Sequence, residues 1–204
     1  MSWITKLIKK KMVETGKVIL TDCDGVLLDW ENSFHAWMKE HGHERVVEGV
    51  YEMEIAYGIP KAVCKELVRE FNESAWMCCL PALRDSRSGV AKLVEAGYTF
   101  VCITSLSLDP YAKQLRVENL EKVFGEGVFD DVVCLDTGAD KDEALAPYKD
   151  TGLYWIEDKT ENAVLGSDLG LNTILINHAH NSDCDDKRIT KVDNWAQISN
   201  LILA

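Results

Sequence analysis

The sequence predicts an α/β fold, a doubly wound parallel sheet with a small helical cap inserted after the first strand. Short apolar runs at 18–20, 98–103, 132–135, 153–156 and 173–176 alternate with segments of helical spacing. Continuous β-branched and aromatic runs are typical of parallel strands that are covered on both faces. Strands that alternate with helices predict right-handed crossovers and an open sheet, which binds ligands at the carboxyl ends of its strands.

The helices between these strands are predicted at 89–96, 110–123, 140–148 and 162–169. Gly97 suits a C-cap at the end of the first, and Asp109 suits an N-cap at the start of the second.

The segment from 30 to 81 breaks the alternation. It contains no good strand pattern, is rich in aromatic residues and has helical spacing at 31–40, 46–57 and 60–73. We therefore divide the chain into an N-terminal amphipathic basic helix (1–16), an α/β core (17–29 and 82–204) and a helical cap insert (30–81). For the first segment, a helix packed on the domain edge is favoured over a membrane-surface helix.

Composition narrows the possible functions. The chain has 204 residues and a formal net charge of −12, so no nucleic-acid partner is expected. Its seven cysteines form no C-x-x-C pair, which favours reduced thiols and a cytoplasmic location, with a zinc site as the alternative. No segment approaches the ~20 apolar residues of a membrane span.

Two carboxylates follow the first strand. Asp22 and Asp24 are two positions apart, so on an extended chain their side chains point the same way, and Gly25 permits a sharp turn after them. Two close carboxylates either share a proton or surround a cation. The pair therefore suggests a Mg²⁺ site, and a strand-end pair facing solvent is the alternative.

Polar residues also end the later strands. Thr104 and Ser105 end the second strand, Lys141 begins the helix after the third, and Glu157 and Asp158 end the fourth. A hydroxyl there can donate to a phosphate oxygen, a lysine can neutralise an anion, and a further acidic pair can complete a metal site. The sequence therefore predicts a phosphate and metal site at this edge of the sheet.

The order D-x-D-G, strand-end T, K and strand-end E-D resembles the four motifs of the haloacid dehalogenase superfamily, whose members are mostly phosphatases. The resemblance covers about 17–177 and implies a Mg²⁺-dependent phosphomonoester hydrolase with an aspartyl-phosphate intermediate. It implies that Asp22 attacks phosphorus and binds Mg²⁺. Asp24 would protonate the leaving oxygen, then activate water, and its backbone carbonyl would bind the metal. Members that cleave carbon–halogen bonds generally lack this second aspartate.

The resemblance assigns the remaining site residues as well. Thr104, with Ser105 beside it, would bind the phosphoryl group, and Lys141 would stabilise negative charge. Asp158 would be a direct metal ligand, and Glu157 would hold a metal-bound water or Lys141.

Several assignments have alternatives. Lys149 is the rival of Lys141, although its position nine residues before Asp158 suggests a loop. Asp168, ten residues after Asp158, is interpreted as structural. Two histidine pairs, His41 with His43 and His178 with His180, suggest either a second metal site or polar loops, and the second pair could also rim the pocket.

The insert bears on the substrate, because a cap in this superfamily closes over the site and reads the leaving group. Trp30, Phe34, Trp37 and Trp76 could stack on a nucleobase, or they could form the core of the cap.

The stretches DCDGVLLDW, FNESAWMCCLPALRDS, CITS and WIEDKTEN resemble the 5'(3')-deoxyribonucleotidase branch. Arg84-Asp85-Ser86 departs from the glycine-alanine usual there. The expected partner is a small phosphorylated metabolite, in particular a (deoxy)nucleoside monophosphate. The alternatives are a sugar phosphate, phosphoglycolate, or a non-catalytic module that binds phosphate or nucleotides.

Overall fold

A six-stranded parallel sheet forms the centre of the computed structural model, which describes residues 16–204. The strand order is β3-β2-β1-β4-β5-β6, so β1 lies in the middle and the order reverses between β1 and β4. Ligands in such sheets bind where the order reverses. The strands are β1 (Val18–Thr21), β2 (Thr99–Thr104), β3 (Phe129–Cys134), β4 (Tyr154–Glu157), β5 (Asn172–Ile176) and β6 (Thr190–Val192).

Each face of the sheet is covered by apolar side chains. Ile19 belongs to a cluster on one face, whereas its neighbours Val18 and Leu20 belong to a cluster on the other. This alternation follows from the two-residue period of a strand. The α/β fold with a doubly wound parallel sheet, predicted from continuous apolar runs, is confirmed.

Helices connect the strands and form the cap. The helices are α1 (Trp30–Glu40), α2 (Met53–Tyr57), α3 (Lys61–Asn72), α4 (Ser86–Glu95), α5 (Pro110–Phe124), α6 (Asp142–Leu145), α7 (Thr160–Asp168) and α8 (Trp195–Leu203). Short 3₁₀ turns occupy Ala75–Cys78, Ala146–Tyr148 and Ala179–Asn181. Within the described chain no helix is long and apolar enough to cross a membrane.

The insert leaves and re-enters the core at one place. The amide of Asp29 donates to the carbonyl of Pro81 at 2.9 Å, and the amide of Leu83 donates to the carbonyl of Leu27 at 2.8 Å. Residues 30–81 contain α1, α2, α3 and one 3₁₀ turn. The N-terminal basic helix expected at 1–16 lies outside the described residues apart from Gly16.

One expected helix of the insert is much shorter than its pattern indicated. Helical spacing suggested 46–57, but α2 begins only at Met53. Gly49 has a φ of +72°, which lies in the left-handed region and is incompatible with a continuous right-handed helix.

Candidate active site

The loop after β1 presents the first aspartate to the carboxyl edge of the sheet. The amide of Asp22 donates to the carbonyl of Ile156 at 2.9 Å, which extends the pairing of β1 with β4 by one residue. The amide of Cys23 donates to Asp22 Oδ1 at 2.7 Å. Backbone hydrogen bonds therefore fix both the main chain and the carboxylate of Asp22 at the point where the strand order reverses.

Lys141 joins two of the acidic residues. Its Nζ lies 2.8 Å from Asp22 Oδ1 and 2.8 Å from Glu157 Oε1, and the lysine is buried. Burial raises the pKa of Asp22 to about 7, against the opposing charge of Lys141. For Lys141 itself burial acts to lower the pKa, but the two carboxylates outweigh it and hold that pKa above its usual value.

Both carboxylate oxygens of Glu157 accept hydrogen bonds behind the residues that line the cavity. Its Oε1 accepts hydrogen bonds from Lys141 and from Asn162 Nδ2 at 2.6 Å. Its Oε2 accepts from the amides of Asp158 and Lys159 at 2.6 and 2.8 Å. Burial acts to raise the pKa of Glu157, but Lys141 and these donors hold it below its usual value. Of the two roles expected for Glu157, the contacts match the one in which it holds Lys141.

The negative charge of Asp158 is less well compensated by neighbouring positive groups than those of Asp22 and Glu157. It is buried, and one oxygen atom each from Asp22, Glu157 and Asp158 lie within 4.8 Å of one another. Burial raises the pKa of Asp158 well above its usual value, and repulsion from Glu157 and Asp22 adds to the effect. His180 Nε2 lies 3.6 Å from Asp158 Oδ2. Three carboxylates this close, with one lysine between two of them, favour a bound cation.

Gly25 makes room for this carboxylate. Its φ is +74°, and a methyl group built on its Cα would overlap Oδ2 of Asp158. Glycine is therefore required here both by the backbone conformation and by the close approach of Asp158.

The second aspartate is bound by an arginine that the sequence analysis did not identify. Arg116 of α5 donates from Nη1 to Asp24 Oδ1 at 2.5 Å and from Nη2 to Asp24 Oδ2 at 3.1 Å. Arg116 is completely buried. It lies 92 positions from Asp24, in the middle of a helix, so no local pattern pointed to it.

The hydroxyl residues lie at the end of β2, the strand that pairs with β1. Thr104 is buried at the end of β2, and its carbonyl accepts a hydrogen bond from the amide of Leu135 at 2.9 Å. Ser105 Oγ donates to the carbonyl of Ala139 at 2.7 Å. Both residues line the same cavity as Asp22.

A cavity of about 680 Å³ separates this edge of the sheet from the cap. Six of the expected core residues line it: Asp22, Asp24, Thr104, Ser105, Lys141 and Asp158. Glu157 lies behind them. Lys149, the rival of Lys141, is exposed and does not line the cavity, and Asp168 is exposed and pairs with Arg188 at 2.6 Å.

Only one of the four expected cap aromatics reaches the cavity. Trp30 lines it, and its Nε1 donates to Asn72 Oδ1 at 2.9 Å. The ring of Phe34 stacks on Trp30 at 4.7 Å, and both Phe34 and Trp37 are buried. Phe34 and Trp37 thus lie in the core of the cap, because aromatic rings at helical spacing pack on one another. The half-buried Trp76 packs against this core.

Other residues of the cavity wall were not expected from the sequence. Tyr51, Lys61 and Lys65 line it from the cap, and Arg84 lines it from the core. Arg84 stands where the sequence departs from the nucleotidase pattern, and that departure was the available signal. His178 and His180, considered as possible rim residues, also line the cavity.

Comparison with known proteins identifies the fold. No protein-family model and no curated protein matches this chain. A predicted phosphatase from Clostridium acetobutylicum is similar with a TM-score of 0.64 at 16% identity, covering 92% of this chain and 98% of that one. A haloacid dehalogenase-like hydrolase from Streptococcus pneumoniae gives 0.65 at 14% identity, covering 91% and 98%.

A third structure was solved with ligands. D,D-heptose 1,7-bisphosphate phosphatase from B. bronchiseptica, in complex with magnesium and phosphate, gives a TM-score of 0.58 at 14% identity, covering 92% of this chain and 98% of that one. The chain therefore has the Rossmann-like fold of the haloacid dehalogenase-like hydrolases.

Proposed function

We propose that the protein is a Mg²⁺-dependent phosphomonoesterase that forms an aspartyl-phosphate on Asp22. The observation that carries this proposal is the buried cluster of Asp22, Asp158, Glu157 and Lys141 at the floor of the cavity. Burying several charges is costly, and nothing in the packing of a sheet edge requires it. The fold shared with phosphatases supports the same function.

The residues present fit a magnesium ion. Mg²⁺ prefers hard oxygen ligands, and the side chains of Asp22 and Asp158, with the backbone carbonyl of Asp24, would supply them. The raised pKa of Asp158 marks negative charge that its protein neighbours compensate poorly. When bound, the ion would neutralise charge on the phosphoryl oxygens and on these carboxylates.

The chain's own residues would then carry out two steps. In the first, an oxygen of Asp22 attacks phosphorus, the ester P–O bond breaks, and Asp24 gives a proton to the leaving oxygen. In the second, water attacks phosphorus, its proton passes to Asp24, and the bond to Asp22 breaks. Lys141 would hold Asp22 in place and offset negative charge, and Thr104 would bind the phosphoryl oxygens, with Ser105 beside it. Phosphoryl transfer depends chiefly on such positioning and charge neutralisation.

Among small phosphorylated metabolites, we propose (deoxy)nucleoside monophosphates as the first class to test. The cavity volume of about 680 Å³ and the position of Trp30 on its wall support this choice. Fewer aromatic rings than the sequence suggested could stack on a nucleobase, because Phe34, Trp37 and Trp76 pack within the cap and do not line the cavity. Sugar phosphates and phosphoglycolate are the competing substrates. All seven cysteines are free thiols, which supports a cytoplasmic location.

The test measures phosphate release with Mg²⁺ and with EDTA from deoxynucleoside monophosphates, sugar phosphates and phosphoglycolate. We expect Mg²⁺-dependent release that Asp22→Asn abolishes. That variant should still fold, because Lys141 keeps its contact with Glu157. Release that favours another ester would retain the mechanism and discard nucleotides. No release from any ester, with phosphate binding intact, would contradict the proposal and indicate a binding module.

A matched pair of lysine variants separates the site from general charge effects. Lys141→Met should lower kcat at least ~100-fold, because it removes the cation beside Asp22. Lys149→Met changes the same net charge at an exposed position outside the cavity, so kcat should stay within about twofold of wild type. Equal losses in the two variants would contradict the role of Lys141.

A further inference from the structure

Arg116 places a full positive charge inside the protein. It lies on α5, is completely buried and donates hydrogen bonds to both carboxylate oxygens of Asp24, at 2.5 and 3.1 Å. A guanidinium that donates to both oxygens fixes the position and the plane of a carboxylate, which a single donor cannot do. The proposed mechanism has so far given Arg116 no role, although it contacts the residue that moves the protons.

The other contacts of Arg116 connect two parts of the molecule. Its Nη1 lies 2.8 Å from Cys23 Sγ, in the loop after β1, and its Nη2 lies 3.3 Å from Met77 Sδ. Met77 belongs to the 3₁₀ turn Ala75–Cys78, at the end of the cap insert. One turn further along α5, Asn119 exchanges two hydrogen bonds of 3.0 Å with the backbone of Leu80. Arg116 thus lies between the loop after β1, which carries Asp22 and Asp24, and the C-terminal end of the cap insert.

We propose that Arg116 is a positioning residue, which orients the Asp24 carboxylate for hydrolysis of the phosphate on Asp22. This inference rests on the proposed function. In that step the water oxygen bonds to phosphorus and the water proton passes to Asp24. The P–O bond to Asp22 breaks, and its electron pair returns to the Asp22 carboxylate. A carboxylate oxygen can accept two hydrogen bonds, so Asp24 can face Arg116 and the water together. The side chain of Asp24 is 23% exposed and lines the cavity.

The experiment separates the two steps with p-nitrophenyl phosphate, whose leaving group needs little help from a proton. In Arg116→Met, nitrophenol should appear in a burst of about one equivalent per active site at nearly the wild-type rate. The following steady state should be at least ~10-fold slower than in wild type, because water activation by a positioned base contributes ~10²–10⁴-fold. A burst rate and a steady-state rate that fall by the same factor would overturn the proposal, as would two unchanged rates.

Two further variants keep the test decisive if Arg116→Met folds poorly. Arg116→Lys retains the charge but cannot grip both oxygens in one plane, so it should also show a burst with a slow steady state. Asn119→Ala loses the contact with Leu80 without touching Asp24. It should lower Tm and leave the ratio of burst to steady-state rate unchanged. A ratio changed equally in Arg116→Lys and Asn119→Ala would mean that Arg116 acts only through packing.

The double variant tests whether Arg116 acts through Asp24. Adding Arg116→Met to Asp24→Asn should change the steady-state rate less than about twofold, because the carboxylate that Arg116 orients is already absent. A further loss as large as in the wild-type background would overturn the proposal. A wild-type protein that hydrolyses no phosphate ester would overturn the proposed function and this role with it. If the wild-type protein hydrolyses phosphate esters but the losses of rate from Arg116→Met and Asp24→Asn are additive, only the role of Arg116 is overturned.

Discussion

At the scale of single residues, the candidate site is a balance of buried charges. Lys141 offsets Asp22 and Glu157, and Arg116 offsets Asp24. Asp158 has weaker compensation, with His180 at 3.6 Å. An uncompensated buried carboxylate either takes up a proton or binds a cation. Asp158 is therefore the carboxylate of this site that a bound cation would stabilise most.

Gly25 provides a test of this arrangement. Gly25→Ala should abolish Mg²⁺-dependent activity and lower stability, because the new methyl group would overlap Asp158 and the φ of +74° disfavours alanine. Gly127→Ala is the matched control, since Gly127 has a φ of +75° and nothing within 4 Å of the added methyl group. It should cost about 1–2 kcal/mol of unfolding free energy and leave activity intact.

Mg²⁺ titration calorimetry and urea unfolding of both glycine variants measure these effects. Equal losses of Mg²⁺ affinity in Gly25→Ala and Gly127→Ala would mean that the backbone conformation alone matters, and that the approach of Asp158 does not.

At the scale of elements, sequence patterns predicted the buried central strands better than the strands at the two edges of the sheet. Continuous apolar runs located β1, β2, β4 and β5 because most residues of these strands are buried. The edge strand β3 is mostly half-buried, and its apolar run at 132–135 covered only the second part of Phe129–Cys134. β6 has only three residues, and Thr190 and Lys191 are exposed, so it carries no apolar run. The cap helices α1 and α3 were predicted within a residue or two, whereas α2 was overextended because a local turn at Gly49 overrides the apolar spacing.

The packing of the C-terminal helix depends on one carboxylate. Asp85 accepts hydrogen bonds from the amides of Trp195 and Ala196, each at 2.9 Å, at the start of α8. Asp85→Ala should cost about 2 kcal/mol of unfolding free energy, because two amides at a helix N-terminus lose their partner.

Asp85→Asn retains one acceptor oxygen, so it should cost less than Asp85→Ala. Urea unfolding measures both losses, and kcat should stay near the wild-type value because Asp85 does not line the cavity. Identical losses of stability in the two variants would contradict the assigned hydrogen bonds.

At the scale of the whole molecule, we expect the acidic site to link folding stability to pH and, under the proposed function, to Mg²⁺. Burial raises the pKa of Asp22 to about 7 and that of Asp158 well above its usual value. Both carboxyls therefore favour the folded state when protonated, and this contribution is lost as pH rises from about 4 through 7. The Tm of the EDTA-treated protein should fall between pH 5 and pH 8.

Mg²⁺ should reverse this loss, because it binds the ionised carboxylates of the folded state and stabilises that state by mass action. Differential scanning calorimetry at pH 5 and pH 8, with and without Mg²⁺, measures both effects. Asp22→Asn is the control, and its metal-free Tm should fall less over the same range. A wild-type Tm that rises between pH 5 and 8 in EDTA would contradict the raised pKa values.

Sequence patterns indicated which residues would meet at one edge of the sheet, because most of these residues follow strand ends. Asp22, Asp24, Thr104 and Asp158 lie at or just after the end of a strand, and parallel strands bring their ends to one edge. Lys141 lies at the start of the helix that follows β3. Arg116 lies in mid-helix, and its meeting with Asp24 depends on how α5 packs. The cap aromatics were ambiguous for a related reason, since spacing along a helix does not distinguish a core-facing ring from a cavity-facing ring.

The pairing of the two cap connections has a consequence for descent. Because the amide of Asp29 lies 2.9 Å from the carbonyl of Pro81, the chain path of the sheet closes at the same point whatever stands between them. We therefore expect that a longer, shorter or different insertion here would leave the strand ends of the candidate site in place. Under the proposed function, selection on which esters enter the cavity would then proceed separately from selection on how an ester is cleaved.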